Sequence, residues 1–577
     1  MASRLSTFFA ELKRRKVYHV GAAYAAVAVG VSLAVAELFG TFSAPEWAAR
    51  AIIVVIALGF PIALVLAWAY EVKPEEPTPT TESDTDPPSA ADSVGPDEVA
   101  VPVERSIVVL PFDNLSPDPD DAFFADGLTE ELITDLSKVS ALKVISRTSA
   151  MSFQGSNKTV PAIAAELDVR YALEGSVRRS GENLRITAQL IDTRTDDHLW
   201  AEKYTGTLED VFDMQERTSR AIVDALEVRL TQSDEVRLAE QGISDARAYD
   251  LLIRARQEFP KGDLQGFWNA IDLLREAEEL VGENLLIYAG LAEAYFLISH
   301  FETEGSEGYK GYMNEVRRYA DRILQLDSES AYGNVYKAWV VWTDQRIQES
   351  FLLLNRAFDV DPNNVTVLWS LAFQASQFGQ PKIAEACANR LATLDPLNPW
   401  APFSQGFYWL VGEGKPELAV EPLRRAHEMA PSGGLFAFKY ARALATTGEV
   451  EEACKVIDHI VENAGDLWVW FAPFFKHALR KERDEAHGVM TPERREMALH
   501  DPTLAWHSAT GYALLGENDL ALQCLEKSVD LAFINYPFLS EFDPLLEGIR
   551  QEPRFQKLME KTKGIWEVFP DHPTSAG

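Results

Sequence analysis

The chain has 577 residues, which is too long for a single hydrophobic core, so several folding units are expected. Its 88 acidic residues outnumber 54 basic ones and give a formal net charge of −34. Such a charge repels phosphate backbones and argues against nucleic-acid binding, whereas it is compatible with a basic partner.

The N-terminal region contains two apolar stretches behind a basic cluster at residues 13–16. The stretches, 17–39 and 51–70, are long enough to cross a bilayer. They predict a basic cytoplasmic N-terminus over 1–16 and two transmembrane helices over 17–70. A cleaved signal peptide is the alternative for the first stretch.

The charge distribution also predicts where the rest of the chain lies. Basic flanks stay on the cytoplasmic side, and two crossings return the chain to its starting side. We therefore expect a multi-pass protein of the bacterial inner (plasma) membrane with a cytoplasmic C-terminal part; a single crossing would make that part periplasmic. Residues 71–105 are acidic and rich in Pro, Ser and Thr, which predicts an extended linker.

A different periodicity begins at residue 106. Short apolar runs such as "SIVVLPF" alternate with helical patterns, and "YALEGSVRRSGENLRITAQLID" then has the alternation of antiparallel strands around a turn. These features predict an α/β module over 106–230.

Several blocks of this module carry a family resemblance. "SIVVLPFDNLSPDPDDAFFADGLTEELITDLSKV", "YALEGSVRR" and "LRITAQLIDTRTDDHLWAEKY" resemble the TolB-like amino-terminal module that precedes tetratricopeptide repeats in many bacterial proteins. In that family the module commonly follows an adenylate cyclase or winged-helix DNA-binding domain. We expect neither output domain here, because only about sixteen residues precede the first apolar stretch.

The region 245–565 has a repeat of helix pairs. Ala384, Ala419 and Ala453 recur at intervals of 35 and 34 residues, each ahead of an apolar run. The segments "VTVLWSLAFQASQFGQPKIAEACANRLATLDP" and "FAFKYARALATTGEVEEACKVIDHIVEN" resemble tetratricopeptide repeats. The predicted fold class is therefore multidomain and α-rich: a transmembrane helical hairpin, a small α/β module and a C-terminal all-α solenoid.

The repeat register predicts a partner-binding groove. If repeats begin at 331, 365, 400 and 434, the fifth and ninth positions of each should face the concave surface. Aromatic residues and Arg dominate binding hot spots. The candidates at or one turn beyond these positions are Trp339, Trp342, Trp369, Phe373, Tyr408, Phe438 and Arg442. Alternatively, these rings fill the seams between repeats.

No motif for catalysis stands out. The chain lacks GxxxxGK[ST], HExxH and GxSxG signatures, and its three cysteines are scattered, so no catalytic residue, metal or cofactor is predicted. We predict a membrane-anchored scaffold or adaptor that is not an enzyme and binds a protein or peptide, with self-association left open. The alternatives are a regulatory component of a cyclase-type signalling system that binds a small ligand in the α/β module, and an envelope-assembly protein if the C-terminal part is periplasmic.

Overall fold

The computed structural model describes most of the chain from residue 105 to residue 569. The described ranges are 105–117, 122–139, 141–181, 183–207, 210–228, 230–231, 243, 245–259, 264–299, 302, 306–464 and 467–569. They form an α/β module followed by C-terminal helical repeats, which is the fold class that the structure shows.

The transmembrane hairpin in the predicted fold class needs correction. No helix within the described ranges is both long and apolar enough to cross a membrane. The two longest, Leu264–Val281 and Glu307–Leu326, carry acidic and basic side chains along their length. The predicted spans at 17–70 and nearly all of the predicted linker lie outside the described residues. The predicted multi-pass localisation in the inner membrane depended on this hairpin, so the structure does not support it.

One mixed sheet forms the centre of the module. Its strands are β1 (Ser106–Val109), β2 (Asp113–Asn114), β3 (Lys143–Val144), β4 (Tyr171–Ser180), β5 (Asn183–Asp192) and β6 (Asp197–Thr207). The strand order is β3-β1-β4-β5-β6, and β2 pairs with β4. β1 pairs in parallel with β3 and β4, and β2 pairs in parallel with β4, whereas β5 pairs in antiparallel fashion with both β4 and β6. The sheet therefore has a parallel half and an antiparallel half.

The strand burial follows the sequence pattern. All four residues of β1 are buried, as expected for a parallel strand covered on both faces. In β5, Leu184, Ile186 and Ala188 are buried and alternate with exposed residues. Ser180 of β4 pairs with Asn183 of β5, and Gly181 between them supplies the positive φ of +62° that a tight hairpin turn requires.

Helices complete the module and build the repeats. The module helices are α1 (Ala122–Ser137), α2 (Arg147–Met151), α3 (Val160–Leu167) and α4 (Val211–Ala225). The repeat region contains α5 (Ala246–Glu258), α6 (Leu264–Val281), α7 (Leu285–Ser299), α8 (Glu307–Leu326), α9 (Ala331–Thr343), α10 (Ile347–Val360), α11 (Val365–Phe378), α12 (Pro381–Leu394), α13 (Trp400–Phe407), α14 (Pro416–Met429), α15 (Gly434–Thr446), α16 (Val450–Asn463), α17 (Trp468–Leu479), α18 (Arg483–Val489), α19 (Pro492–Ala498), α20 (Pro502–Leu514), α21 (Asn518–Asp530) and α22 (Pro553–Glu567).

The predicted repeat register matches the helix starts. Helices α9, α11, α13 and α15 begin at Ala331, Val365, Trp400 and Gly434. A π-helical turn, Tyr408–Gly412, extends α13.

Small residues allow the helices of a pair to pack closely. Ala384, Ala419 and Ala453 each have no exposed surface. A Cβ atom added to Gly406 would lie 2.5 Å from Leu423 Cγ, which shows how closely α13 approaches α14. The alanine spacing therefore reports helix packing rather than binding.

The end of the chain returns to earlier repeats. We call residues 533–569 the C-terminal segment. The Asn535 amide nitrogen donates to the carbonyl oxygens of Ser376 and Val411 at 2.9 and 2.8 Å. The Trp566 indole donates to the Gly379 carbonyl at 3.2 Å. The C-terminal segment thereby covers the ends of the first helices of two pairs.

The module also packs directly on the repeats. The Ser149 hydroxyl donates to Asp395 Oδ1 at 2.6 Å and accepts from the Leu397 N–H at 3.0 Å. The Ser146 N–H donates to the Leu394 carbonyl at 2.8 Å. Helix α2 is thus joined to the loop between α12 and α13.

Candidate functional site

Three tryptophans on the first helices of consecutive helix pairs form a ring stack. Trp339 lies on α9, Trp369 on α11 and Trp400 at the start of α13. The ring centroids of Trp339 and Trp369 are 5.3 Å apart, and those of Trp369 and Trp400 are 4.6 Å apart. All three side chains are partly exposed. We call these residues the tryptophan stack.

Neighbouring groups fix the orientation of the tryptophan stack. The Trp339 indole N–H donates to Ser370 Oγ at 3.0 Å, which links α9 to α11. Phe296 of α7 packs on Trp339 with a centroid distance of 5.4 Å. Phe373 is partly exposed and lies 6.3 Å from Trp339, centroid to centroid. The structure therefore brings three of the predicted groove residues together.

Two other predicted groove residues are more deeply packed. Trp342 is 8% exposed and contacts Phe378, with ring centroids 5.7 Å apart. Tyr408 is 5% exposed at the start of the π-helical turn, beside Trp409. Burial raises the pKa of the Tyr408 hydroxyl above its ordinary value, so this group is neutral. Both residues are therefore packed among neighbouring rings, with little of either side chain exposed.

The remaining predicted pair lies inside the repeats. Phe438 has no exposed surface and stacks on Trp468 of the next first helix, at a centroid distance of 4.4 Å. Arg442 is 1% exposed and donates to Asp543 Oδ2 at 2.7 Å and to Thr510 Oγ1 at 3.0 Å. Phe438 thus occupies a seam between repeats, and Arg442 contacts the C-terminal segment of its own chain.

A buried amine is a feature that the sequence analysis missed. Lys439 has no exposed surface, and its Nζ lies 2.7 Å from His507 Nε2. Burial and the nearby Arg442 charge lower the pKa of Lys439 well below its ordinary value, and burial lowers the pKa of His507 likewise. The sequence feature that could have predicted this buried amine is the single Lys within the apolar run "FAFKYARALA".

An acidic side chain lies one turn before Phe296, the ring that packs on Trp339. Glu293 precedes Phe296 on α7, and the two share a helix face because they are three residues apart. Burial raises the pKa of Glu293 to about 7, opposed by Arg256 and Arg147. Burial, and to a smaller extent the Glu293 charge, raises the pKa of Tyr336 on α9 well above its ordinary value.

The described residues offer no metal centre. Among them, no group of three or more His, Cys, Asp or Glu side chains could hold an ion. Cys387, Cys454 and Cys524 are buried and unpaired, and burial raises the pKa of Cys387 and Cys524 to about 12. These thiols lack the thiolate character that reactivity requires.

The sequence of the α/β module matches one known protein family. Residues 103–220 match the HilA/YgeH-like transcriptional regulator family, second domain. This match covers only part of the chain and does not support the TolB-like identity that the sequence resemblance implied. A solved TolB structure from Acinetobacter baumannii covers 21% of this chain and 28% of its own, with 19% identity and a TM-score of 0.16, which is too low to carry an argument.

Two further proteins are similar to longer stretches. A putative adenylate cyclase 3 from Rhizobium meliloti (strain 1021) is 39% identical over 270 residues, covering 46% of this chain and 44% of the relative. The chain therefore spans less than half of that relative. A tetratricopeptide repeat protein from Parabacteroides merdae covers 49% of this chain and 100% of its own, with 13% identity and a TM-score of 0.29.

Proposed function

We propose that this chain is a protein-interaction scaffold that binds a peptide or protein segment on the tryptophan stack. The observation that carries the proposal is the set of partly exposed, stacked rings of Trp339, Trp369 and Trp400 on three consecutive helix pairs. Tryptophan is enriched at binding hot spots because a large rigid ring buries much area at a small cost in conformational entropy.

The predicted groove residues take two roles in this proposal. Trp339, Trp369 and Phe373 are partly exposed and would contact the partner. Trp342, Tyr408, Phe438 and Arg442 are buried and would hold the helices that present those rings. A repeat surface of this kind binds through shape and side-chain chemistry and needs no reacting group.

Peptide-library selection against the purified full-length chain tests the proposal. Trp369→Ala should weaken the selected peptides about 30-fold, as expected for a hot spot of about 2 kcal/mol. Trp470→Ala is the matched control. Trp470 is also partly exposed, but it lies on α17, outside the tryptophan stack, and the Arg494 guanidinium lies over its ring. Equal binding to the wild type and to Trp369→Ala would contradict the proposal.

Protein stability must be followed in the same experiment. Trp369 packs between two rings, so the Ala variant removes some packing as well as a contact surface. The thermal midpoint of Trp369→Ala should stay near that of Trp470→Ala, and Trp369→Phe should recover part of the binding. A collapse of the thermal midpoint would assign Trp369 to folding instead.

The name of the Rhizobium meliloti relative favours a second candidate function. The 39% identity to a putative adenylate cyclase is the observation behind a regulatory role in cyclase-type signalling, with a small ligand bound by the α/β module. Thermal midpoints of the purified chain measured with ATP and with cyclic AMP test this candidate. A stabilisation that saturates with ligand would support it, and unchanged midpoints would oppose it.

A further inference from the structure

The C-terminal segment lies across four first helices of the repeats. Asn535 bridges the ends of α11 and α13, Trp566 returns to the loop after α11, and Asp543 reaches α15 and α20. The last carbonyl groups of a helix lie beyond its regular hydrogen bonds. The Asn535 amide donates to two such carbonyls, those of Ser376 and Val411, so a segment from outside the helix pairs caps both helices.

Two glycines make room for this segment. Gly379 lies in the loop after α11, and Gly414 lies in the loop after the π-helical turn that extends α13. A Cβ atom added to Gly379 would lie 2.7 Å from Trp566 Nε1, and one added to Gly414 would lie 2.4 Å from Phe542 Cβ. A larger residue at either position would therefore displace the segment. The loops of two successive helix pairs thus form notches that fit it.

Trp506 of α20 contacts both aromatic rings and a carboxylate of the segment. Its ring centroid lies 5.3 Å from that of Phe538 and 4.9 Å from that of Phe533. Its indole N–H donates to Asp543 Oδ2 at 2.9 Å, and the side chain has no exposed surface. The segment therefore binds as a peptide ligand does, with buried rings and a carboxylate at fixed spacing.

Arg442 keeps a donor that the segment does not use. Its Nη2 donates to Asp543 Oδ2 and its Nη1 to Thr510, whereas its Nε is buried and has no acceptor among the described residues. Asp543 supplies only one oxygen to Arg442, because its Oδ1 accepts the Leu545 N–H at 3.2 Å. A carboxylate free of that second bond can pair with Nε and Nη2 through both of its oxygens, which is the stronger geometry.

The connection between the repeats and the segment contains a strained residue. Ala532 follows α21 and has a φ of +98°, a conformation that residues with a Cβ atom rarely adopt. It is 1% exposed, and the neighbouring Phe533 N–H donates to the Ser528 carbonyl at 3.0 Å. Release of the segment lets this backbone relax. The strain therefore reduces the free energy that favours the docked segment.

We propose that the groove lined by α11, α13, α15 and α20 is a second peptide-binding site, closed by the C-terminal segment and opened by an acidic partner segment that displaces it. The partner carries an aromatic ring five residues before a carboxylate, which is the spacing of Phe538 and Asp543. Arg442 binds the carboxylate, and Trp506 contacts both groups. In the closed state the same contacts stabilise the repeats.

The tether makes the segment a strong internal competitor. A segment joined by a short connection acts at an effective concentration in about the millimolar range, so it sets the affinity that a partner must exceed. The groove does not use the rings of the tryptophan stack, so its test is independent of the proposed function.

Fluorescence anisotropy with the full-length protein and a labelled peptide of residues 533–550 tests the proposal. A second peptide with Asp543→Asn is the control for the carboxylate. We expect the first peptide to bind about tenfold or more tightly than the second. Equal binding of the two peptides would overturn the proposal.

Hydrogen exchange in the same mixture shows where the peptide binds. A peptide made with heavy isotopes keeps its fragments separate from those of the protein. Amides of residues 533–549 in the protein should lose protection as the peptide binds. Binding that leaves their protection unchanged would place the peptide on another surface and would also overturn the proposal.

Two variants of the protein change the closed state in opposite directions. Ala532→Gly removes the strain, because Gly adopts positive φ at no steric cost, and should weaken peptide binding about three- to fivefold. Asp543→Asn removes the carboxylate that holds the segment and should strengthen binding of the unsubstituted peptide about tenfold or more. Asp458→Asn removes the same charge from an exposed ion pair with Lys476 and should change binding by less than about twofold.

Thermal midpoints show whether each variant is folded. If Asp543→Asn does not fold, Ala532→Gly and the pair of peptides decide. Absence of peptide binding to folded Asp543→Asn, or unchanged or tighter binding to Ala532→Gly, would mean that the segment is a fixed part of the fold and that no partner displaces it.

Discussion

The Arg442 guanidinium donates to Asp543 Oδ2 at 2.7 Å across 101 residues of chain, and both side chains are 1% exposed. The same carboxylate oxygen accepts from the Trp506 indole at 2.9 Å. Asp543 therefore joins α15 and α20 to the C-terminal segment. A predicted groove residue is engaged by the chain's own C-terminus, so this part of the repeat surface serves folding.

Removing one partner of this pair should destabilise the protein strongly. Asp543→Ala leaves the Arg442 charge buried without a counter-ion, and we expect a loss of about 3–5 kcal/mol in the free energy of unfolding. Chemical denaturation measures the loss. Arg424→Gln, which breaks exposed ion pairs with Glu421 and Glu428, is the control and should change the free energy of unfolding far less, because solvent screens these pairs. Similar losses in both variants would contradict this assignment.

The buried amine of Lys439 makes stability depend on pH. Its pKa is lowered in the folded protein, chiefly by burial, so the unfolded chain binds more protons between that lowered pKa and about 10.5. Stability should therefore rise as pH increases from about 7 toward 10. Lys439→Met should flatten this rise and raise stability at pH 7 by roughly 1–3 kcal/mol. Denaturation curves at several pH values would decide, and an unchanged slope would contradict the prediction.

The sequence predicted where the repeat helices begin, but it did not predict contacts between residues that lie far apart in the chain. The alanine spacing and the loop positions gave the starts of α9, α11, α13 and α15, because each repeat packs mainly on its neighbours. The spacing could not show that Arg442 meets Asp543 or that Lys439 meets His507, since those partners lie 101 and 68 residues away. The sequence therefore leaves open whether the groove positions face a partner or fill the seams between repeats, and the structure divides them into partly exposed and buried residues.

The contact between module and repeats should depend on one hydroxyl group. Ser149→Ala removes the donor to Asp395 Oδ1, which is buried, and the acceptor of the Leu397 N–H, which is partly buried. We expect a loss of about 1–3 kcal/mol in stability and faster amide exchange around residues 394–398. Thr393→Ala is the control, because its hydroxyl bonds only to the exposed side of its own helix. Unchanged exchange in Ser149→Ala would show that the hydroxyl does not hold the module.

Glu293 should produce a second pH dependence with the opposite sign. Burial raises its pKa from 4.5 to about 7, while Arg256, Glu130 and Arg147 are the charged groups around it. Between these two values the folded protein binds more protons than the unfolded chain, so this group makes stability fall as pH rises. Glu293→Gln keeps the neutral form at every pH and should raise stability by about 1–2 kcal/mol at pH 8, with little change at pH 5. Thermal midpoints of both proteins across this range measure the effect. A gain of equal size at both pH values would mean that ionisation of Glu293 is not its cause.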